Sequence, residues 1–196
     1  MRRRDALVAL LALGTLGCAA GMSEPRRRGV APAEEPEGST FTAAVPYVPT
    51  RPEIVDAMLE LAAVGRGDTV YDLGCGDGRI VIAAAKRFGA RGLGVDIDAD
   101  LVNKAQADAY WEGVADRAKF SMSDLFEVDL RPATVVMLYL SVEINVRLRP
   151  KLLAQLRPGS RIVSNRFDMG EVWRPDRTIV VAGTPIHLWR IPGAAR

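Results

Sequence analysis

The stretch Val70-Tyr-Asp-Leu-Gly-Cys-Gly-Asp-Gly-Arg79 restricts this chain more than any other part of its sequence. A short apolar run, Thr69 to Leu73, enters a loop holding Gly74, Gly76 and Gly78, and a helical pattern begins at Arg79. Strand, glycine loop and helix in that order let backbone approach a nucleotide-like ligand closely, because a Cβ in the loop would clash with the ligand or forbid the turn. A glycine loop alone also describes a tight turn between strand and helix. Two features add to it. The next apolar run, Gly92 to Val95, ends in Asp96, about twenty residues past the loop, where an acid can bind both hydroxyls of a ribose. A third run, Phe120-Ser-Met-Ser-Asp124-Leu125, also ends in an acid. Three successive strands with polar ends on one edge describe the ligand crevice of a doubly wound sheet. Asp72, at the end of the first strand, can accept hydrogen bonds from a cationic amine.

The combination D-L-G-C-G-D-G, G-V-D-I-D and S-D-L-F resembles the class I S-adenosylmethionine (SAM) methyltransferases. Gly74, Gly76 and Gly78 are spaced G-x-G-x-G, which departs from the G-x-G-x-x-G of dinucleotide binders. The resemblance covers about residues 45–191. It implies that Asp72 and the loop Gly74, Cys75, Gly76, Asp77 and Gly78 hold the methionine part of SAM. Asp96, with Ile97 beside it, takes the ribose, and Asp124 with Leu125 faces the adenine. Cys75 reads as a small residue filling a tight space. The implied fold is α/β: a Rossmann-like, doubly wound, seven-stranded and mostly parallel sheet with a C-terminal antiparallel hairpin, the last strand running against the others. The pattern by itself supports only a mostly parallel α/β sheet.

Periodicity places the elements. Thr50 can cap a helix that opens Arg51-Pro52-Glu53, and Ile54, Val55, Met58, Leu59, Leu61 and Ala62 give it an apolar stripe. Strands are expected at about 69–73, 91–96 and 118–121, and helices at about 79–88 and 98–112. Ala133 to Leu140 is a continuous apolar run suited to a strand buried on both faces. A helix in two pieces follows, 142–148 and 151–156, interrupted at Arg149-Pro150. A strand at 161–164 and a hairpin of 178–182 with 186–191 complete the domain.

Residues 1–18 read as an export signal: Met1-Arg-Arg-Arg is basic, Ala6 to Gly17 is apolar but short for a membrane span, and small residues precede Cys18. They resemble a bacterial lipoprotein signal with Cys18 as the acylated residue. That would anchor the protein to a membrane on the periplasmic side, whereas translation from Met22 would leave it cytoplasmic. Residues 19–40 have a linker's composition, and the methyltransferase domain is expected over 41–196. With 26 basic and 24 acidic residues interspersed, no bulk field calls for nucleic acid as a partner. No cysteine, histidine and carboxylate spacing suggests a metal. A monomer is expected.

Three further stretches narrow the resemblance: Tyr47-Val-Pro-Thr50-Arg-Pro52; Val135-Val-Met-Leu-Tyr139-Leu-Ser141; and Ser164-Asn-Arg-Phe-Asp168-Met-Gly170. They resemble a small family of non-SET protein-lysine methyltransferases, which includes mitochondrial enzymes acting on the adenine nucleotide translocase and on the c-type ring protein of ATP synthase. By that resemblance Tyr47 and Thr50 belong to a loop covering SAM. Tyr139, Ser141 and Glu143 are the candidates for the acceptor pocket, with Asn145 within reach and Asp168 at the mouth. The acceptor is expected to be a protein lysine. The alternatives are a small-molecule N- or O-acceptor, or an exported, catalytically silent binding protein on the same fold. His187, the one histidine, is expected in a structural role, and Trp111, Trp173 and Trp189 at core or rim.

Overall fold

The structure, a computed structural model, describes residues 47–193. The expected signal (1–18), Cys18, Met22, the linker (19–40) and the first residues of the expected domain lie outside the described residues. The elements run α1 (Pro52–Leu61), β1 (Thr69–Leu73), α2 (Arg79–Phe88), β2 (Arg91–Asp96), α3 (Ala99–Trp111), β3 (Ala118–Met122), β4 (Val135–Leu138), α4 (Val142–Gln155), β5 (Arg161–Asn165), β6 (Arg177–Val181) and β7 (Thr184–Arg190). Seven strands form one sheet in the order β3-β2-β1-β4-β5-β7-β6. All neighbours are parallel except at β7, which runs antiparallel to both β5 and β6. The direction of winding reverses between β1 and β4, so a crevice opens above the carboxyl ends of those two strands.

Period-two alternation in the central strands divides the core between two faces. Val135 and Met137 of β4 pack with Ile54, Met58 and Leu59 of α1 and with Ile80 and Ala84 of α2. Val136 and Leu138 pack on the opposite face with Leu148 and Leu152 of α4 and with Trp189. All four residues of β4 are fully buried, as a two-sided apolar run requires. Val102, Ala105 and Ala109 of α3 join Val81, Ala85 and Phe120 in a third cluster. The Trp189 indole donates to the Trp173 carbonyl at 2.9 Å, which satisfies its buried N–H.

Two local expectations are corrected. Thr50 does not cap α1: the N-cap position is Arg51, no side chain caps it, and Pro52 at N1 fixes the entry into the helix. Helix α4 is one piece, not two, and Pro150 lies inside it. An internal proline costs about 3 kcal/mol in a helix. Leu148 and Leu152, both fully buried on either side of Pro150, offset that cost, while the proline itself faces solvent. Trp111 is not core: at the end of α3 it is 82% exposed, edge-on to Tyr110, and it lines an open surface pocket that also includes Asp77 and Arg79. His187 sits on β7 as expected, Nδ1 at 2.9 Å from the Thr178 hydroxyl.

Candidate active site

The loop after β1 is built on left-handed backbone. Gly74, Gly76 and Gly78 have φ of 81°, 53° and 76°. At Gly78 a Cβ would stand 2.5 Å from the Phe120 ring and 2.7 Å from the Ala105 Cβ, so only glycine lets the start of α2 settle against β3 and α3. At Gly76 a Cβ would overlap the Tyr47 ring, 2.8 Å from its Cδ2. The segment before α1 therefore folds back over the loop, and Tyr47 covers it while remaining 46% exposed. Cys75 fills the space between β1 and β2, where its Sγ would be 2.8 Å from a Cβ on Gly94. Burial pushes its thiol well above the ordinary range, and Asp72 and Asp96 push it further, so it stays protonated.

Three acids surround the loop and each is held differently. Asp96 accepts from the Gly76 N–H at 2.8 Å and from the Asp98 N–H at 3.1 Å, so its carboxylate is fixed at the end of β2. Asp77 is gripped by Arg79, Nε on Oδ1 at 2.8 Å and Nη2 on Oδ2 at 2.6 Å. Burial alone would raise Asp77, but this two-pronged pair outweighs it and holds the carboxyl below the usual range. Asp72 is 3% exposed and accepts no hydrogen bond from a described residue. Burial, then the charges of Asp96 and Asp77, push it up to about 8. A carboxyl in that state has a strong electrostatic preference for a cation beside it.

The adenine side is apolar and open. Ile97, after β2, is 65% exposed and Met122, at the end of β3, is 62% exposed. Met122 stands in register with Asp96, and sequence reasoning passes over it. Leu125, three positions past Met122, is half-buried, and Asp124 accepts from the Phe126 N–H at 2.8 Å. Buried Thr50 lends its carbonyl to Arg79 Nη1 at 2.7 Å. The residues present fit SAM: backbone that tolerates close approach, a buried carboxyl with no cationic partner among the described residues for SAM's positive charges, an oriented carboxylate for diol hydroxyls, and an apolar shelf for a base.

The ends of β4 and β5 form the other wall. Tyr139 is half-buried and stacks on Phe167, ring centres 6.2 Å apart and planes 22° apart. Ser141 caps α4, its Oγ accepting from the Ile144 N–H at 3.3 Å. It also hydrogen-bonds Glu143, which is fully exposed and whose carboxyl is held below its ordinary range by that contact. Asn145 is fully buried and donates to the Phe167 carbonyl at 3.0 Å and the Ser164 hydroxyl at 3.3 Å, while its Oδ1 has no hydrogen-bond partner among the described residues. The turn after β5 is tight: the Phe167 N–H reaches the Asn165 carbonyl at 2.8 Å around Arg166, whose φ is 68°. A non-glycine residue there is strained, and such strain concentrates at functional sites. Asp168 turns back to accept from the Gly170 N–H at 2.9 Å. Sequence reasoning misses Phe167 and Arg79 as site residues. Phe167 lies within a recognisable stretch but signals no role, and Arg79 reads only as the start of a helix.

This fold, with an acidic glycine-loop crevice at its switch point, is that of a class I SAM-dependent methyltransferase, and SAM is its cofactor. The model of the ANTKMT methyltransferase domain family matches residues 72–177, and the chain belongs to that family. A protein-lysine N-methyltransferase of Saccharolobus islandicus is 44% identical over 143 residues, 72% of this chain and 88% of that protein. The adenine nucleotide translocase lysine N-methyltransferase of Mus musculus is 35% identical over 131 residues, 67% of this chain and 56% of that protein. A crystal structure described as an RNA methyltransferase from Salinibacter ruber in complex with S-adenosyl-L-homocysteine is 53% identical, with a TM-score of 0.73, covering 76% of this chain and 97% of that one.

Proposed function

We propose that this chain methylates the ε-amine of lysine in a protein acceptor. The observation that carries the reading is the 44% identity with the archaeal protein-lysine enzyme along 88% of that enzyme's length. The stacked Tyr139 and Phe167 supply a second support: aromatic faces accommodate the apolar stem of a lysine.

SAM supplies an electrophilic methyl on a sulfonium. This chain's residues supply alignment and dryness. Asp72 and residues 74–78 hold the methionine end, Asp96 the ribose hydroxyls, and Ile97, Asp124 and Leu125, with Met122, the base. Tyr47 and Thr50 cover the crevice. The acceptor ammonium enters beside Tyr139 and loses its proton to water as the apolar walls disfavour the charge. The amine lone pair then forms the new N–CH₃ bond as the S–CH₃ bond breaks, leaving S-adenosylhomocysteine and a methylammonium. Ser141 and Glu143 set the start of α4 at the mouth, where the Glu143 carboxylate draws a cationic side chain inward.

The basic start, the short apolar run and Cys18 support attachment to a membrane through an acylated cysteine on the periplasmic side. A start at Met22 is the cytoplasmic alternative. The domain is taken as a monomer.

The test is transfer of labelled methyl from SAM by the purified chain, offered bacterial protein extract and total RNA separately. Label in protein that co-elutes with methyl-lysine after acid hydrolysis supports the reading. Label confined to RNA, the acceptor class named for the Salinibacter ruber protein, overturns it. The net charge of +2 supplies no bulk electrostatic attraction for RNA.

A further inference from the structure

Arg79 joins two parts of the chain, the glycine loop and the segment that precedes α1. Its Nε and Nη2 hold both oxygens of Asp77 in the glycine loop, and its Nη1 reaches the Thr50 carbonyl at 2.7 Å, in the segment preceding α1. The Tyr47 ring, three residues before Thr50, lies over Gly76, and its hydroxyl interacts with both Asp77 and Arg79. The Arg79 side chain is 34% exposed and that of Asp77 is 11% exposed, so the pair is partly dried and its hydrogen bonds are charge-assisted. The 47–50 segment thus meets the loop at this carboxylate–guanidinium pair, with Thr50 at one end and Tyr47 at the other, and through the Tyr47 ring packed over Gly76.

The geometry points to Arg79 as a positioning residue: its guanidinium latches the 47–50 segment over the glycine loop and so sets how long the cofactor stays bound. The inference rests on the SAM site and not on the identity of the acceptor. Arginine suits this task because one planar fork can grip a carboxylate with two donors and still direct a third at a carbonyl. Asp77 is thereby neutralised by Arg79, which leaves Asp72 to face the cofactor's positive charges. A latch acts on cofactor residence and leaves the chemical step at Tyr139 untouched. Its loss therefore raises KM for SAM more than it lowers kcat.

The experiment uses the full chain, wild type, Arg79→Ala and Arg79→Lys. S-Adenosylhomocysteine is titrated calorimetrically, and chymotryptic cleavage after Tyr47 is timed with and without it. Wild type is expected to bind, with cleavage slowed by the ligand. Arg79→Ala is expected to bind about tenfold more weakly and to be cut after Tyr47 equally fast with or without ligand. Arg79→Lys, which can keep one contact but not the fork, should fall between, and it serves alone should the alanine variant not fold. Wild-type affinity and ligand protection in either variant overturn the latch alone. So does lost affinity with protection retained at saturation, since that describes a residue supporting the loop only. A wild-type chain that binds no S-adenosylhomocysteine overturns the cofactor site and the latch together.

Discussion

Asp72→Asn exchanges a buried carboxyl for an amide of the same shape. In the folded chain Asp72 keeps its proton up to about pH 8, against an ordinary value of 3.8. Between those values the folded state holds a proton that the unfolded chain has released. Stability is therefore lost as pH rises through this window, by about 1.4 kcal/mol per pH unit. At pH 7 about three units have been crossed, a cost of roughly 4 kcal/mol at most. Asparagine abolishes the slope but buries an amide without a partner, costing about 1–3 kcal/mol. The cofactor-free variant should therefore melt about 5 °C higher than wild type at pH 7–8, with the advantage gone by pH 4.5. Its affinity for SAM should fall, because the charge that answers the sulfonium and ammonium is gone. Wild type should also release a proton on binding SAM near pH 7, read as a buffer-dependent heat of binding. Thermal melts at pH 4.5, 6, 7 and 8, followed by circular dichroism, check the first part. A variant no more stable than wild type at pH 8, or offset equally at every pH, would refute the assignment of the slope to Asp72.

Other outcomes follow from the same geometry. Gly76→Ala places a methyl where the Tyr47 ring lies and strains a φ of 53°. It should cost about 1–2 kcal/mol of stability and more in SAM affinity, measured by denaturation and calorimetry on one sample. Asp96→Ala, which removes the carboxylate fixed by Gly76 and Asp98, should weaken SAM binding at least tenfold, about 1.4 kcal/mol, with little change in melting temperature. Phe167→Ala should raise KM for a lysine-containing protein acceptor while KM for SAM stays within about twofold, since it removes only one ring of the acceptor wall. Growth with a fatty-acid probe should label the wild-type chain and leave Cys18→Ala unlabelled; equal labelling would exclude acylation at that position.

Sequence and structure agree where one physical pattern dominates. The glycine loop could be read because positive φ and close approach demand one residue type, and β4 because a strand buried on both faces must be apolar throughout. Helix α4 misled because Pro150 is a strong local signal, yet burial of Leu148 and Leu152 outweighs it through contacts distant in sequence. The Thr50 cap failed similarly: the motif was present, but the Thr50 carbonyl is drawn toward Arg79 from another element. Phe167 gained a role only when the tight turn at Arg166 laid it on Tyr139, 28 positions earlier in the chain. Such pairings leave no local periodicity to read.

The reversal of strand order between β1 and β4 also divides the labour along the chain. Every residue assigned to the cofactor comes before position 126, and the acceptor wall comes from 139 to 168. A lineage can therefore alter what it methylates by substitutions in its second half while the first half stays under unchanged constraint. Relatives with different acceptors are then expected to diverge fastest at the ends of β4 and β5. Chimeras joined in the 126–134 connection offer a direct way to move acceptor preference between them.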